Sequence, residues 1–164
     1  ETDRQKRAKL RARAVIDQVV DNIRPLLRNI EVDTSLISAD LRLPNATMAE
    51  WNAIFQNLFT NAVNAMLDSK HKKIVCEGGR RRSTAYILVQ DTGVGVRLSE
   101  SEKLFQPFHR EANISDERRA LGHGGTGLGL TIVRTIGDVI ECGTQFIKPK
   151  PPFKTAFQIS WEES

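Results

Sequence analysis

Between residues 10 and 27 the apolar positions Ile16, Val19, Val20, Ile23 and Leu27 recur at three- and four-residue steps, which predicts a helix with one buried face. Pro25 falls near its end, where a missing N–H and a fixed φ kink or shorten a helix. The period then changes. Ile30-Glu31-Val32-Asp33 alternates apolar with polar and predicts a strand, with a second short strand around 39–43 before Pro44 and Asn45 break the pattern. Thr47-Met48-Ala49-Glu50 has the form of a capping box, Thr47 as N-cap and Glu50 reaching back from the third helical position. The helix it opens is predicted to run to about Met66, burying Trp51, Ile54, Phe55, Leu58, Ala62 and Met66 along one stripe.

Residues 73–77 and 85–90 read as two strands joined by the turn Gly78-Gly79-Arg80-Arg81. A glycine-rich loop spans 91–96, and a short helix is predicted at 99–104. Residues 107–125 carry almost no apolar periodicity, a length without structure that marks a functional lid or a disordered segment. Helical spacing resumes over 128–140, and 145–147 with 156–161 close the chain as a strand pair around a turn at 148–152.

A chain of 164 residues fits one domain with one sizeable core. The longest apolar runs are short, as in Tyr86-Ile87-Leu88-Val89, so no segment reads as a membrane span, and the charged start shows no signal peptide. Cys76 and Cys142 have no paired spacing, which supports neither a disulfide framework nor a zinc site and fits a reducing compartment. The net charge of +4 is concentrated at Arg4, Lys6, Arg7, Lys9, Arg11 and Arg13 and at Arg80-Arg81-Arg82. These clusters lack interleaved aromatics and any nucleic-acid motif, so they read as solvated faces rather than a nucleic-acid surface.

Four features carry candidate chemistry. Asn57, Asn61, Asn64 and Asp68, at steps of four, three and four, share a second face of the capped helix. Asparagine is a mediocre helix former, so this is either a wet surface or a polar wall facing a ligand, where an amide oxygen can hold a hard cation such as magnesium. Asp91-Thr92-Gly93-Val94-Gly95 directly follows an apolar strand. The carboxylate there can accept from an exocyclic amine such as that of adenine, and Gly93 and Gly95 allow the backbone close to a flat ring. Gly122-His123-Gly124-Gly125-Thr126-Gly127-Leu128-Gly129-Leu130 opens a helix, and free amides at a helix start cradle anions. It is not a Walker loop, since no Lys-Ser or Lys-Thr follows, and its glycine spacing is not that of a dinucleotide fingerprint. Ahead of the long loop, Leu104-Phe105-Gln106-Pro107-Phe108-His109-Arg110 supplies apolar anchors and an arginine able to reach a phosphate.

Taken in order, these motifs resemble the catalytic and ATP-binding domain of sensor histidine kinases, in the superfamily shared with gyrase and mismatch-repair ATPases. Asn57-Leu58-Phe59-Thr60-Asn61-Ala62 is similar to the family's asparagine box, Asp91-Thr92-Gly93-Val94-Gly95 to its first glycine box, Leu104-Phe105-Gln106-Pro107-Phe108 to its phenylalanine box, and Gly125-Thr126-Gly127-Leu128-Gly129-Leu130 to its second glycine box. The resemblance implies an α+β, two-layer α/β sandwich of the Bergerat type, a mixed sheet with helices on one face. It also implies binding of ATP with Mg2+. Asn61 would ligate the metal and Asp91 the adenine amine, with Gly93 and Gly95 by the ring. Asn57, Asn64 and Arg110 would approach the phosphates, and Gly124, Gly125, Thr126, Gly127, Leu128, Gly129 and Leu130 would cradle them, with Asn57, Asn61 and Arg110 closest to the chemistry. Residues 14–164 would form this domain with a lid at about 107–125, and residues 1–13 would be the remnant of a preceding helix.

The pattern departs from the family in two places. No histidine has the acidic or Arg-Pro context of a phosphoacceptor box, His71, His109 and His123 included, and Glu141-Cys142-Gly143 replaces a turn with paired glycines. The implied function is transfer of the γ-phosphoryl group to a histidine on a separate dimerisation and phosphoacceptor helical domain of the same protein, with a response regulator downstream. The expected location is cytoplasmic, including the cytoplasmic part of a membrane-bound sensor, with no nucleic-acid or membrane contact by this domain. The alternatives are an ATP-hydrolysing conformational switch of the same superfamily and a nucleotide-binding adaptor without turnover.

Overall fold

A computed structural model describes residues 6–107 and 128–163. The first helix, α1 (Ala12–Asn22), buries Val15, Ile16, Val19 and Val20, the stripe set by its apolar spacing. It ends earlier than residue 27: Pro25, which has no N–H to continue the α-helical ladder, stands at the second position of a separate 3₁₀ turn, Arg24–Leu27. Strand β1 (Glu31–Ile37) follows. The strand expected around 39–43 does not form. Leu41 and Leu43 do alternate inward, fully buried, but among the described residues this stretch pairs with residues 6–11 as the isolated bridge Arg11–Arg42 and, just beyond it, Ala8–Ala46, not as a ladder. Residues 6–11 are themselves extended, held by Ala12 N–H donating to the Leu41 carbonyl and Leu43 N–H to that of Leu10.

The capping box opens α2 (Met48–Ala65): the Thr47 hydroxyl accepts from Glu50 N–H at 3.1 Å, and the Glu50 carboxylate from Thr47 N–H at 2.9 Å. All six residues of its predicted stripe are buried, and Phe59 with them. Strands β2 (Lys73–Arg81) and β3 (Thr84–Asp91) then form a hairpin longer than the sequence suggested. Gly78-Gly79-Arg80-Arg81 is strand, and the turn is Arg82-Ser83, with Arg82 at φ 62°. Gly78 serves packing: a Cβ there would stand 3.0 Å from Leu41 Cδ2 and 3.3 Å from Ile37 Cγ2. A 3₁₀ segment, Leu98–Phe105, stands where the short helix was expected. Helix α3 (Gly129–Val139) and strands β4 (Gly143–Ile147) and β5 (Thr155–Glu162) complete the described chain.

The five strands lie in the order β1-β2-β3-β5-β4, with β1 and β2 parallel and every other pair antiparallel. The core takes one face of this mixed sheet. Ile74 and Cys76 of β2, Ile87 and Val89 of β3, and Phe157 and Ile159 of β5, all at alternate positions, join one cluster with the buried faces of α1 and α2 and with Val133 of α3. Two layers result, α+β in class, as the motifs implied. Cys76 and Cys142 are both free and buried. No helix among the described residues is long and apolar enough to cross a membrane.

Candidate functional site

Asp91 is the last residue of β3, and the strand's alternation turns it to the helix side. Only 4% of it is exposed, and its Oδ1 accepts the Gly93 N–H at 2.8 Å. Burial pushes its carboxyl up to about 6, against the pull of the Gly93 bond. Directly opposite on β5 stands Thr155, which shares that face. Its hydroxyl is buried without a hydrogen-bond partner among the described residues. A buried polar atom left unpaired is costly, so this end of the sheet has the character of a surface completed by something else.

The loop after Asp91 is tightly clamped. Thr92 donates from its hydroxyl to the His71 carbonyl at 2.7 Å and accepts from Lys73 N–H at 3.1 Å, tying the loop to the start of β2. Val94 N–H donates to the Ala65 carbonyl at the end of α2. Gly93 is required by that approach, because a Cβ would lie 2.6 Å from the Ala65 oxygen. Gly95 adopts φ +83°, the left-handed region open to glycine, close to the Lys154 carbonyl. The sequence suggested approach to a flat ring, but here packing against α2 and backbone turning already demand both glycines.

Asn57, Asn61 and Asn64 follow one another along a face of α2 that borders the site, Asn57 and Asn64 half-buried and Asn61 exposed; Asp68, expected on the same face, is exposed in the turn beyond the helix end at Ala65. Asn57 donates from Nδ2 to the Ala53 carbonyl at 2.7 Å, which fixes its amide and leaves Oδ1 outward. Against it lies the start of α3. A Cβ at Gly129 would sit 3.1 Å from Asn57 Oδ1 and 3.6 Å from Asn61 Oδ1. Glycine thus keeps open the space before two amide oxygens. That donor set suits magnesium, which takes one or two protein oxygens beside phosphate and water oxygens.

A cavity joins these parts. Asn61, Leu58 and Ala62 of α2 form one wall, Asp91, Val89 and Phe157 of the sheet the floor, and Leu130 of α3 with Phe146 of β4 the other side. Phe146 and Phe157 meet edge to face at 5.0 Å, and Phe105 completes the cluster at 6.0 and 6.1 Å from them. Phe105 is the anchor expected of the motif before the long loop, and its carbonyl accepts the Thr131 hydroxyl at 2.8 Å.

The structure therefore brings Asn57, Asn61, Asp91, Gly129 and Leu130 around one space, with Asn64, Gly93, Gly95 and Leu128 on the same elements or adjoining loops. Arg110, Gly124, Gly125, Thr126 and Gly127, and all of the expected lid at 107–125 except Pro107, lie outside the described residues. The sequence had not singled out Thr155, Phe146 or Phe157 for the site. Phe157 carries the strand's alternation, but the position of Thr155 beside Asp91 depends on β3 and β5 being neighbours, which no local pattern encodes.

Over residues 50–164 the chain matches the family described as histidine kinase-, DNA gyrase B-, and HSP90-like ATPase. It is 31% identical over 147 residues to the two-component system protein A of Emericella nidulans, a match covering 85% of this chain and 20% of that protein. The chain thus spans a fifth of the length of this relative. In structure it is similar to the mycobacterial sensor histidine kinase MprB, with a TM-score of 0.73 and 18% identity over 95% of this chain and 97% of that one. It is also similar to full-length ShkA in complex with AMPPNP, at a TM-score of 0.70 and 20% identity over 94% of this chain and 30% of that one. At such identities the two structures bear on the fold.

Proposed function

We propose that this chain, which belongs to the histidine kinase-, DNA gyrase B- and HSP90-like ATPase family, serves as the ATP-binding catalytic domain of a two-component sensor kinase, binding Mg-ATP and passing the γ-phosphoryl group to a histidine on a separate helical acceptor domain. The observation that carries this reading is the buried pair Asp91 and Thr155, an ionisable carboxyl and an unpartnered hydroxyl side by side at the edge of the cavity. A ligand edge that both donates and accepts, such as that of adenine, would satisfy them. The AMPPNP held by the structural relative ShkA supports a nucleotide in this fold.

In this reading Asp91 accepts from the adenine amine and Thr155 bonds a neighbouring ring atom or bridging water, with Gly93 and Gly95 shaping the loop beside the ring. Asn61 gives its amide oxygen to magnesium. Asn57 and Asn64 on α2, Arg110, and the run Gly124, Gly125, Thr126, Gly127, Leu128, Gly129 and Leu130 serve the phosphates. When bound, the metal neutralises phosphate charge; the protein's part is positioning and electrostatic stabilisation. Asn57 has a further consequence. An amide is a poor base near neutral pH, so one facing the phosphates holds a water or an oxygen without taking its proton. That favours holding ATP for an incoming imidazole over spending it on water.

Calorimetry of the chain with ATP, with and without magnesium, tests the binding. Transfer is tested by supplying the helical acceptor domain of the full protein and following acid-labile phosphate. The expected results are magnesium-dependent binding, label on the acceptor, and none on His71, His109 or His123 of this chain. Absence of binding would refute the proposal, and phosphate release above about 1 s⁻¹ without acceptor, the low end of ordinary enzyme turnover, would favour the ATP-hydrolysing switch instead.

A further inference from the structure

Arg134 lies on α3, more than a helical turn beyond the residues that border the cavity, and makes more contacts than any surface role requires. Its Nε donates to the Thr144 hydroxyl at 3.0 Å, and its Nη2 to the Thr144 backbone carbonyl at 2.7 Å, both on β4. The two terminal nitrogens grip the Glu102 carboxylate at 2.8 and 3.2 Å, on the 3₁₀ segment. The guanidinium carbon Cζ also lies over the Phe105 ring, 3.6 Å from its centroid. One side chain therefore joins three elements that are separate in sequence.

What it joins is the side of the cavity facing α2. Phe105, held beneath the guanidinium, packs on Phe146 and Phe157, which line the cavity with Asp91. One turn before Arg134, the Thr131 hydroxyl bonds the Phe105 carbonyl, so the same 3₁₀ segment is pinned to α3 twice. The first residue of α3, Gly129, faces Asn57 and Asn61. The separation between those amides and the aromatic wall thus depends on how α3 is docked, and the Arg134 contacts join the packing of α3 on α2 and the burial of Val133 in fixing that docking. The planar fork is needed for it: bidentate carboxylate binding, a carbonyl bond and stacking use all parts of a guanidinium, and an ammonium cannot reproduce them together.

We infer that Arg134 is a positioning residue for the nucleotide, holding α3 and the Phe105-Phe146-Phe157 wall at the spacing that lets Asn57, Asn61 and Asp91 act on one ligand without touching that ligand itself. The inference rests on the Mg-ATP reading above, and the test separates the two. Mg-ATP affinity is measured by calorimetry for the whole chain and for Arg134→Gln, Arg134→Lys and Glu102→Gln, with the fold of each checked by circular dichroism and thermal melting. The expected result is roughly tenfold weaker binding for Arg134→Gln, partial recovery in Arg134→Lys, and a two- to threefold loss in Glu102→Gln, an exposed position whose change leaves the core intact. Folded Arg134→Gln binding Mg-ATP as the parent does would overturn the inference while leaving the proposed function standing. Should Arg134→Gln not fold, Glu102→Gln decides, with parental affinity there overturning it. A parent chain that binds no Mg-ATP would overturn both.

Discussion

Replacing Asp91 with asparagine should stabilise the free protein and weaken its nucleotide binding, two effects of opposite sign from one atom change. The carboxyl is nearly inaccessible, and burial raises it from 3.8 to about 6. In the native state it therefore keeps its proton over a range where the unfolded chain has released it. Stability from this group is fully present below 3.8, falls as the pH rises toward 6, and stays low above. At ~1.36 kcal/mol per pH unit the gap between 3.8 and about 6 corresponds to about 3 kcal/mol. An amide has the same shape, can still accept the Gly93 N–H through its oxygen, and carries no charge to desolvate. Asp91→Asn is thus expected to gain about 1–3 kcal/mol at pH 7.5, with the difference from the parent shrinking toward zero near pH 4. Denaturant titrations of both proteins across that range measure it, and groups common to both cancel in the difference. A variant less stable than the parent at pH 7.5, or a difference that does not change with pH, would refute the reasoning. Under the proposed function, the same variant presents a donor to the adenine amine, so Mg-ATP affinity should fall by about 1–3 kcal/mol, roughly 5- to 150-fold.

Three further outcomes follow from the geometry. Thr155→Val removes a buried hydroxyl without a partner, so the free protein should be as stable as the parent or more stable by up to about 1–2 kcal/mol in a denaturant titration, and a loss would show that the hydroxyl is bonded in solution. Gly93→Ala forces a Cβ to 2.6 Å from the Ala65 carbonyl oxygen, a backbone atom that cannot swing aside, and should cost about 1–3 kcal/mol, read as a lowered Tm; an unchanged melting curve contradicts the clamped loop. Glu50 is held below the usual carboxylate range, first by the Thr47 N–H, so its contribution is present above pH ~4.5 and is lost as pH falls through its native value. Glu50→Ala should therefore cost about 0.5–1 kcal/mol at pH 7 and less at pH 3, and an equal cost at both would remove the capping box as the cause.

Helix α2 and its polar face were legible because both depend on neighbours close in sequence. Thr47 and Glu50 are three apart, and the apolar and asparagine stripes repeat within single turns. The misreadings share the opposite cause. Gly78-Gly79-Arg80-Arg81 has the composition of a turn, and it is pairing with Ile87, Tyr86, Ala85 and Thr84 of β3, and of Gly78 with Ile37 of β1, that makes it strand. The inward alternation of Leu41 and Leu43 is real, but a strand also needs a partner ladder, and the chain supplied two isolated bridges. Gly93 and Gly95 were legible as necessary glycines, while the neighbours that make them so, Ala65 and Lys154, were not. Of the site itself, Asn57, Asn61 and Asp91 could be read in their motifs. Thr155 could not, since its place beside Asp91 follows from strand order.

The polar groups of the site inherit their positions from the most apolar parts of the fold. Asn57 and Asn61 point from a helix whose other side buries Trp51, Phe55 and Phe59 completely, with Trp51 and Phe55 stacked at 5.8 Å, so α2 cannot roll to turn its amides away without opening the core. Asp91 and Thr155 end a strand pair that runs in unbroken register from Thr84–Glu162 to Asp91–Thr155. Along it Ile87 faces Ile159 and Val89 faces Phe157, and this apolar packing offsets the cost of the polar pair at its end. A rigid scaffold is what lets a buried carboxyl and an unpartnered hydroxyl persist instead of collapsing onto each other or out to water. It also explains why the aromatic wall needs Arg134. Phe105 belongs to a 3₁₀ segment rather than to a strand or long helix, and beside its packing on Phe146 and Phe157 the guanidinium and the Thr131 hydroxyl fix it from α3.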